Sequence, residues 1–156
     1  MMSPQLAEKL TALRPIIGLD PGQKTGVSVF HGGNGAIQYL LTVSPDQIDA
    51  LLIEHMPRLL VFEDSRRQSA VFGRGVNPRA MLKIARNVGE VDQICRQICE
   101  TCRKLEIDFI AVSPLAKGAK MSAEQFRAHT GWSGRSNQHE RDAAMVAWQY
   151  RRMRQG

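Results

Sequence analysis

Three acidic side chains lie where this sequence otherwise predicts buried apolar residues. Asp20 ends the mainly apolar run 16–19, Glu63 ends the apolar run 59–62, and Asp142 lies on the apolar stripe of a predicted helix. Taken alone, Asp20 before Pro21-Gly22 is better explained as an Asx-turn. A carboxylate on a buried surface is nevertheless unfavourable unless a positive group compensates its charge. The three positions together therefore indicate a site that holds a cation.

The helix that carries Asp142 also carries an imidazole. On a wheel of about 100° per residue, one sector holds a stripe of six residues: His139, Asp142, Val146, Gln149, Tyr150 and Met153. This stripe includes no Arg or Lys that could neutralise the carboxylate, and Glu140 points elsewhere, where we expect it to cap the helix. Oxygen ligands favour Mg²⁺ or Mn²⁺, which activate water and neutralise charge on a phosphate. Carboxylates that hold metal ions in a basic protein favour phosphodiester chemistry.

The strands that must position these residues are visible in the hydrophobic pattern. Strands are predicted at 15–20, 25–30 and 36–43, and the short links between them make the three strands antiparallel. Two further strands are predicted at 58–64 and 107–114. The strand at 58–64 is apolar on both faces and therefore central in the sheet.

Helices are predicted between and after these strands. They cover 44–56, 77–106, 122–129 and 137–154, and each begins at a capping residue or at a proline in the first turn. The order of elements is therefore β-β-β-α-β-α-β-α-α, which predicts an α/β fold. The stretches 65–76 and 115–121 are left as basic loops.

The longest predicted helix carries apolar residues at alternating spacings of 3 and 4, as in a heptad seam. The seam consists of Met81, Ile84, Val88, Val91, Cys95, Ile98, Cys102 and Leu105. Cys95, Cys99 and Cys102 have the spacing of an iron–sulfur motif, but their place in a helical seam favours small buried side chains instead. A disulfide framework is not expected either.

Length, composition and charge limit the class of protein. The chain has 156 residues, 43% hydrophobic and 23% charged, which predicts a single folded domain over 1–156. The net charge of +6 is concentrated in two blocks, 58–86 and 115–156, each at net +5. If the fold joins the blocks, they form the basic face of a nucleic-acid-binding protein, although on charge alone a solvated Arg-rich surface is equally plausible. Neither a membrane helix nor a secretory signal is visible, so we expect a cytoplasmic protein.

Several stretches resemble the RuvC Holliday-junction resolvases, members of the RNase H-like superfamily. GLDPG at 18–22, followed by Thr25-Gly26, is similar to their first-strand motif, VFE at 61–63 to their second acidic position, and HERDAA at 139–144 to their last-helix motif. The order of elements matches too, and the resemblance covers essentially the whole chain. It implies an RNase H-like mixed five-stranded sheet, three antiparallel strands followed by parallel additions, flanked by helices. The implied activity is structure-selective cleavage of four-way or other branched DNA.

The resemblance also implies roles for individual residues. Asp20 would bridge two Mg²⁺ ions, Glu63 would bind one, and His139 with Asp142 would complete the other, with Mn²⁺ able to substitute. The family acts as a homodimer, and the seam helix is a candidate interface, although it could equally pack on the sheet. Residues expected to contact DNA are Arg66, Arg67, Phe72, Arg74, Arg79, Lys83, Lys117, Lys120 and Arg135.

The sequence departs from the family pattern in two places. The link from Pro-Gly to Thr-Gly is one residue shorter than in the typical cellular enzyme. The family has an aromatic residue soon after the second acidic position, where it helps open the junction, whereas the first aromatic residue after Glu63 is Phe72, nine residues on. We therefore expect Phe72 or Arg74 to help open the junction, and Lys117 or Lys120 to approach the scissile phosphate. These departures resemble phage or prophage variants, some of which accept a wider range of branched DNA.

Three alternatives remain at the level of sequence. The YqgF-type nucleases share the fold and act on RNA, but their opening motif usually lacks the proline that follows Asp20. A catalytically inactive nucleic-acid-binding module of the RNase H-like type would keep the fold without the chemistry. The actin-like ATPases have a similar phosphate loop, but they need two such domains and a much longer chain.

Overall fold

The computed structural model describes residues 2–67, 78–114 and 118–153. Its five strands are β1 (Ile16–Asp20), β2 (Thr25–Phe30), β3 (Ile37–Val43), β4 (Leu59–Glu63) and β5 (Phe109–Val112). Its α-helices are α1 (Pro4–Ala12), α2 (Ile48–His55), α3 (Pro78–Leu105), α4 (Ala123–Thr130) and α5 (Gln138–Ala147).

The strands form one mixed sheet in the order β3-β2-β1-β4-β5. β1, β2 and β3 are antiparallel neighbours, whereas β4 and then β5 are added parallel to β1. This confirms the predicted fold class, with β4 central between β1 and β5. Because β1 and β4 run in the same direction, both end at the same edge of the sheet.

Alternation along the strands divides the core between the two faces of the sheet. On β1, Ile17 and Leu19 pack with α2 and α3, whereas Ile16 belongs to the cluster formed with α4 and α5. On β4, Leu59 and Val61 belong to that second cluster. Side chains two residues apart lie on the same face of a strand, so Asp20 and Glu63 are directed to the α5 face.

The long helix α3 divides into a buried half and an exposed half. Its C-terminal half packs on the sheet through Ile94, Cys95, Ile98, Cys99 and Cys102. In the N-terminal half, the side chains of Leu82 and Val88 are 55% and 36% exposed. The predicted seam is therefore core along the second half of α3, so Cys95 and Ile98 do not form a dimer interface.

The three cysteines are buried thiols, as predicted. Burial raises the pKa of Cys95, and it raises the pKa of Cys102 to about 12. An apolar environment disfavours the thiolate, which is the form that binds metals and reacts.

The helices differ from the sequence prediction at the two ends of the chain. The helix α1 is missing from the prediction, although Ser3 caps it and Pro4 opens it, the signal used correctly at Ser44-Pro45. Every residue of α1, all within the described part of the chain, is at least partly exposed, so α1 lacks the buried stripe that pattern analysis detects. At the other end, α5 stops at Ala147 and continues as a 3₁₀ turn, Trp148–Tyr150.

None of the helices in residues 2–67, 78–114 and 118–153 combines the length and the apolar character needed to cross a membrane.

Candidate active site

Asp20 and Glu63 lie next to each other at the ends of adjacent parallel strands. Leu19 pairs with Phe62 across β1 and β4, and the two carboxylates follow one residue later. Neighbouring strands are separated by about 4.8 Å, so the two side chains leave the sheet from adjoining positions on one face. The residue opposite Glu63 on β5 is Val112, and Ser113 follows it.

The helix α5 lies directly on β1 and β2 because two glycines leave room for its backbone. A Cβ atom on Gly26 would lie 1.9 Å from the carbonyl oxygen of His139, and one on Gly18 would lie 2.2 Å from that of Ala143. The hydroxyl of Ser28 donates a hydrogen bond of 2.9 Å to the same Ala143 oxygen. These three contacts fix the position of α5 on the sheet.

The first turn of α5 is tied to the edge strand β3. Asn137 and Glu140 form the predicted capping box, in which each side chain accepts a hydrogen bond from the other residue's backbone N–H. Thr42 of β3 donates a hydrogen bond of 3.0 Å to Glu140 and accepts one of 2.8 Å from Asn137. Glu140 is therefore a capping residue, as expected.

This placement brings His139 and Asp142 to the strand ends. Nδ1 of His139 lies 3.5 Å from Oδ2 of Asp20, and their side chains are 48% and 17% exposed. Asp142 is 7% exposed and accepts a hydrogen bond of 2.8 Å from Nε2 of Gln138. The resemblance implies that His139 and Asp142 complete one metal site together with the bridging Asp20; the imidazole lies against Asp20, and the ligand set itself stays a prediction.

The buried face of α5 differs from the predicted stripe. It consists of Asp142, Ala143, Ala144 and Ala147, whereas His139 and Gln149 are exposed. The physical reason is the close approach to Gly18 and Gly26, because only small side chains fit between a helix and strands at that distance. The prediction that Asp142 is buried is confirmed.

Glu63 and Asp142 open into a common cavity of about 860 Å³ between β5, α4 and α5. Its walls are partly apolar, with Met121, Met145 and Trp148, and Lys120 lies at its rim. Burial of Asp142 here, beside another carboxylate, is the arrangement that a cation would stabilise.

The arginine on the cavity wall has a structural role. Nε of Arg141 donates to the carbonyl oxygen of Met121 at 3.0 Å, and Nη1 donates to that of Ser136 at 2.8 Å. These bonds connect α5 to the segments on either side of α4. Arg141 therefore braces the cavity wall.

The donor set is suited to a hard divalent cation in its chemistry. Three carboxylates and one imidazole converge from β1, β4 and α5, and carboxylate oxygens are what Mg²⁺ and Mn²⁺ prefer. His139 lies 3.5 Å from Asp20, while Glu63 and Asp142 both line the cavity. Within residues 2–67, 78–114 and 118–153, no three His, Cys, Asp or Glu side chains stand close enough together to hold an ion. A bound cation would require these side chains to move closer together.

The residues predicted to contact DNA fall into three groups. Five are exposed at the surface: Arg67, Arg79, Lys83, Lys120 and Arg135. Phe72, Arg74 and Lys117 lie outside the described residues. The remaining one, Arg66, is exposed as well, but its guanidinium pairs with Asp64 of its own domain, so it forms a group of its own. Burial alone would raise the pKa of Asp64, but the hydrogen bonds and charge of Arg66 outweigh that effect and lower it.

Sequence analysis missed three features of the site that have recognisable signals. Gln138 precedes Asp142 by four residues, the spacing at which an amide and a carboxylate meet on a helix. Gly18 and Gly26 were noted as parts of a motif, but not as the positions that let the backbone of α5 lie against the strands. The hydroxyl of Thr25 donates to the carbonyl oxygen of Gly22 at 2.7 Å and so closes the turn that follows Asp20.

Comparisons with known proteins agree with this fold. A Thermus thermophilus RuvC solved in complex with a Holliday junction substrate superposes with a TM-score of 0.58 at 17% identity, covering 86% of this chain and 90% of that chain. A second T. thermophilus RuvC structure superposes with a TM-score of 0.53 at 14% identity, covering 86% and 91%. No protein-family model and no curated protein sequence matches this chain. The chain therefore has a RuvC-like fold, which is of the RNase H-like type.

Proposed function

We propose that this protein is a metal-dependent endodeoxyribonuclease that cuts four-way or other branched DNA. The observation that supports this best is the convergence of Asp20, Glu63 and Asp142 at one edge and one face of a RuvC-like sheet. Carboxylates from three separate elements repel one another unless a cation lies between them. One structural neighbour was solved with a Holliday junction substrate, which supports branched DNA as the substrate class.

Each residue of the site has a defined part in this proposal. Asp20, Glu63, His139 and Asp142 would hold two Mg²⁺ ions, and such ions supply an activated water and neutralise charge on the scissile phosphate. Gln138 orients Asp142 through its hydrogen bond. Lys120, an exposed residue that lines the cavity, would contact the phosphate backbone.

Cleavage of a labelled four-way junction tests this proposal directly. We expect the wild type to cut the junction in Mg²⁺ or Mn²⁺ and to leave a linear duplex of the same sequence intact. Ca²⁺ should support binding without cleavage, because its loose coordination does not hold the attacking water in line. Full activity in excess chelator would exclude the two-metal site, and cleavage of structured RNA in place of the junction would favour the RNA nuclease.

Replacement of Asp20 separates binding from chemistry. Asp20→Asn keeps the shape of the side chain but removes one charge and one strong ligand, so cleavage should fall by about 1000-fold. Junction affinity without metal should stay the same or rise, because the carboxylates repel the incoming phosphate. If Asp20 merely shaped the turn before Pro21, Asn would substitute in an Asx-turn and both activities would survive. If the wild type binds the junction but does not cleave it with Mg²⁺ or Mn²⁺, the protein is instead a catalytically inactive nucleic-acid-binding module.

We also propose that the protein acts as a homodimer, with the exposed half of α3 in the interface. Leu82 and Val88 are large apolar side chains exposed on that half. Val88→Asp should give a folded monomer in light scattering, since it places a charge in the interface without touching the monomer core. A folded Val88→Asp dimer would place the interface elsewhere.

A further inference from the structure

The two residues that follow Glu63 are attached to α3 by a compact set of polar contacts. Asp64 points to the face opposite to Glu63, because consecutive strand residues point to opposite faces. Ser65 begins the 3₁₀ turn Ser65–Arg67, and its hydroxyl reaches Asp92 on α3. Asp64 is only 3% exposed. We define Asp64, Ser65, Arg66 and their partners on α3, Asp92 and Cys99, as the α3 clamp.

The guanidinium of Arg66 makes a bidentate pair with the carboxylate of Asp64, which we call the fork. Nε donates to Oδ1 and Nη2 donates to Oδ2, both at 3.0 Å, and the backbone N–H of Arg66 donates to Oδ1 at 3.0 Å. Two parallel bonds of this kind fix orientation as well as distance. Nη2 also lies 3.2 Å from Sγ of Cys99 on α3.

Further bonds fasten the same segment. The hydroxyl of Ser65 donates to Oδ1 of Asp92 at 2.6 Å. The backbone N–H of Asp64 donates to the carbonyl oxygen of Val112 at 2.8 Å, which extends the pairing of β4 with β5. The thiol of Cys95 lies 3.7 Å from the carbonyl oxygen of Glu63 itself. The backbone at Glu63 and directly after it is therefore held by β5 and by the face of the sheet that carries α3.

We infer that Asp64 and Arg66 are positioning residues that set the place of the Glu63 carboxylate from the opposite face of the sheet. Glu63 is the last residue of β4 and its side chain lines the cavity, so its location depends on what holds the residues that directly follow it. This role rests on the proposed nuclease function. It differs from the phosphate contact that the sequence suggested for Arg66, because the fork is already occupied by Asp64.

Charge alone predicts a different pattern from positioning. If Asp64 and Arg66 acted through space, removing the negative charge would weaken binding of a divalent cation and removing the positive charge would strengthen it. A positioning role predicts that both changes weaken binding, since either one opens the fork. The signs of the two effects therefore separate the two explanations.

The test is Mn²⁺ binding by the full-length protein without DNA, measured by titration calorimetry. We expect Asp64→Asn and Arg66→Met each to lower Mn²⁺ affinity by about tenfold, the lower end of the effect of losing a group that orients a ligand. Arg66→Lys should behave like Arg66→Met, because an ammonium cannot form the fork. The double variant Asp64→Asn, Arg66→Met should be no worse than either single variant. Arg96→Met is the matched control for loss of an exposed arginine on α3 that was given no part in the site, and Glu63→Gln marks the full loss of the ligand.

Ser65→Ala extends the test in case the fork variants do not fold. It removes one clamp bond at a partly exposed position and should lower Mn²⁺ affinity in the same direction, by less. Tighter or unchanged Mn²⁺ binding by Arg66→Met or Arg66→Lys overturns the inference, as does wild-type affinity in Ser65→Ala. Wild-type Mn²⁺ binding in Arg66→Lys together with weaker junction binding in Arg66→Met would return Arg66 to the role of a phosphate contact.

Cleavage assays distinguish this inference from the proposed function. If the wild type cuts the junction in Mg²⁺ and the fork variants need the same Mg²⁺ concentration as the wild type, the inference fails and the proposed function stands. If the wild type neither binds Mn²⁺ nor cuts any junction, the proposed function fails first. We expect the fork variants to recover cleavage at raised Mg²⁺ while Arg96→Met needs no such increase.

Discussion

The two faces of the sheet hold the candidate site in opposite ways. On the α5 face, contact depends on missing side chains, because Gly18 and Gly26 let a helix backbone lie against the strands. On the α3 face, in addition to the apolar packing of α3 on the sheet, the segment after Glu63 is held by polar side chains, through the fork of Arg66 on Asp64 and the bond from Ser65 to Asp92. A backbone contact has no alternative arrangement, whereas a side-chain network can adjust. We therefore expect the α5 face to be the less tolerant of substitution.

The largest effect should come from filling the space under α5. The Cβ of Gly26→Ala would collide with the backbone of His139, so α5 must move away from Asp20. We expect a loss of about 3 kcal/mol in the free energy of unfolding and about 100-fold in cleavage rate. Urea unfolding and single-turnover cleavage measure the two losses.

Gly89→Ala is the matched control on α3. A Cβ there would meet no atom of the described residues within 4 Å. Ala is the better helix former, so this variant should be more stable than the wild type by about 1 kcal/mol. If the Gly26 and Gly89 variants behaved alike, the contrast between the two faces would be wrong.

The next effect concerns the ligand that α5 brings to Asp20. His139→Ala removes an imidazole from the site and should lower the cleavage rate about 30-fold. This factor corresponds to a loss of about 2 kcal/mol of transition-state stabilisation. His139→Asp, which restores a ligand at the same position, should keep most of the activity. Wild-type cleavage by His139→Ala would show that the imidazole seen against Asp20 is not a ligand.

A smaller effect tests the apolar part of the α3 face. Cys102→Ala leaves a small void and should cost about 1 kcal/mol at neutral pH. Since burial raises the pKa of Cys102 to about 12 from its ordinary value of 9.0, the unfolded chain loses the proton first as pH rises. The stability that the wild type owes to this thiol is therefore complete below pH 9.0 and declines above it.

The comparison of wild type with Cys102→Ala at several pH values measures this linkage. The difference in unfolding free energy should shrink between pH 9.0 and about 12, and it should be constant at lower pH. A difference that stays constant through that range would mean that the thiol is not in an apolar environment. Other groups that titrate at high pH cancel in the comparison because both proteins contain them.

The smallest effect tests the exposed half of α3. Lys83 is exposed there and is predicted to contact a DNA phosphate. Lys83→Ala should reduce the slope of log affinity against log salt by about 0.9, the value for one phosphate contact on duplex arms. Lys104→Ala, at an exposed position in the last turn of α3, should leave the slope unchanged. Equal slopes in all three proteins would mean that Lys83 does not contact a DNA phosphate.

The strand residues of the site could be predicted from the sequence because a strand has a fixed period. Glu63 shares its parity with Leu59 and Val61, so its face follows once those two are buried together. Asp20 follows from the same rule. The five strands were predictable for the same reason, with turn and capping signals to mark their ends, whereas the parallel addition of β4 and β5 was implied by the family resemblance.

The arrangement of α5 and Arg66 was not predictable in the same way. A hydrophobic stripe marks the buried face of a helix that packs through large side chains, and α5 packs through alanines on glycines. The charge of Arg66 was visible, but its direction depends on the buried Asp64 beside it. From the sequence, both residues are expected to be charged side chains on the surface. Only the structure shows that they form an ion pair.

The order of strands has a consequence for synthesis. β1 first pairs with β2, its immediate successor, and its other neighbour β4 arrives only after β3 and α2 have been made. Local pairings form before distant ones because loop closure over a longer chain is less probable. A nascent chain would thus have Asp20 in a formed hairpin while Glu63, and later Asp142, are still missing. We expect the proposed nuclease activity to appear abruptly when α5 docks, so that unfinished chains on the ribosome would not nick DNA.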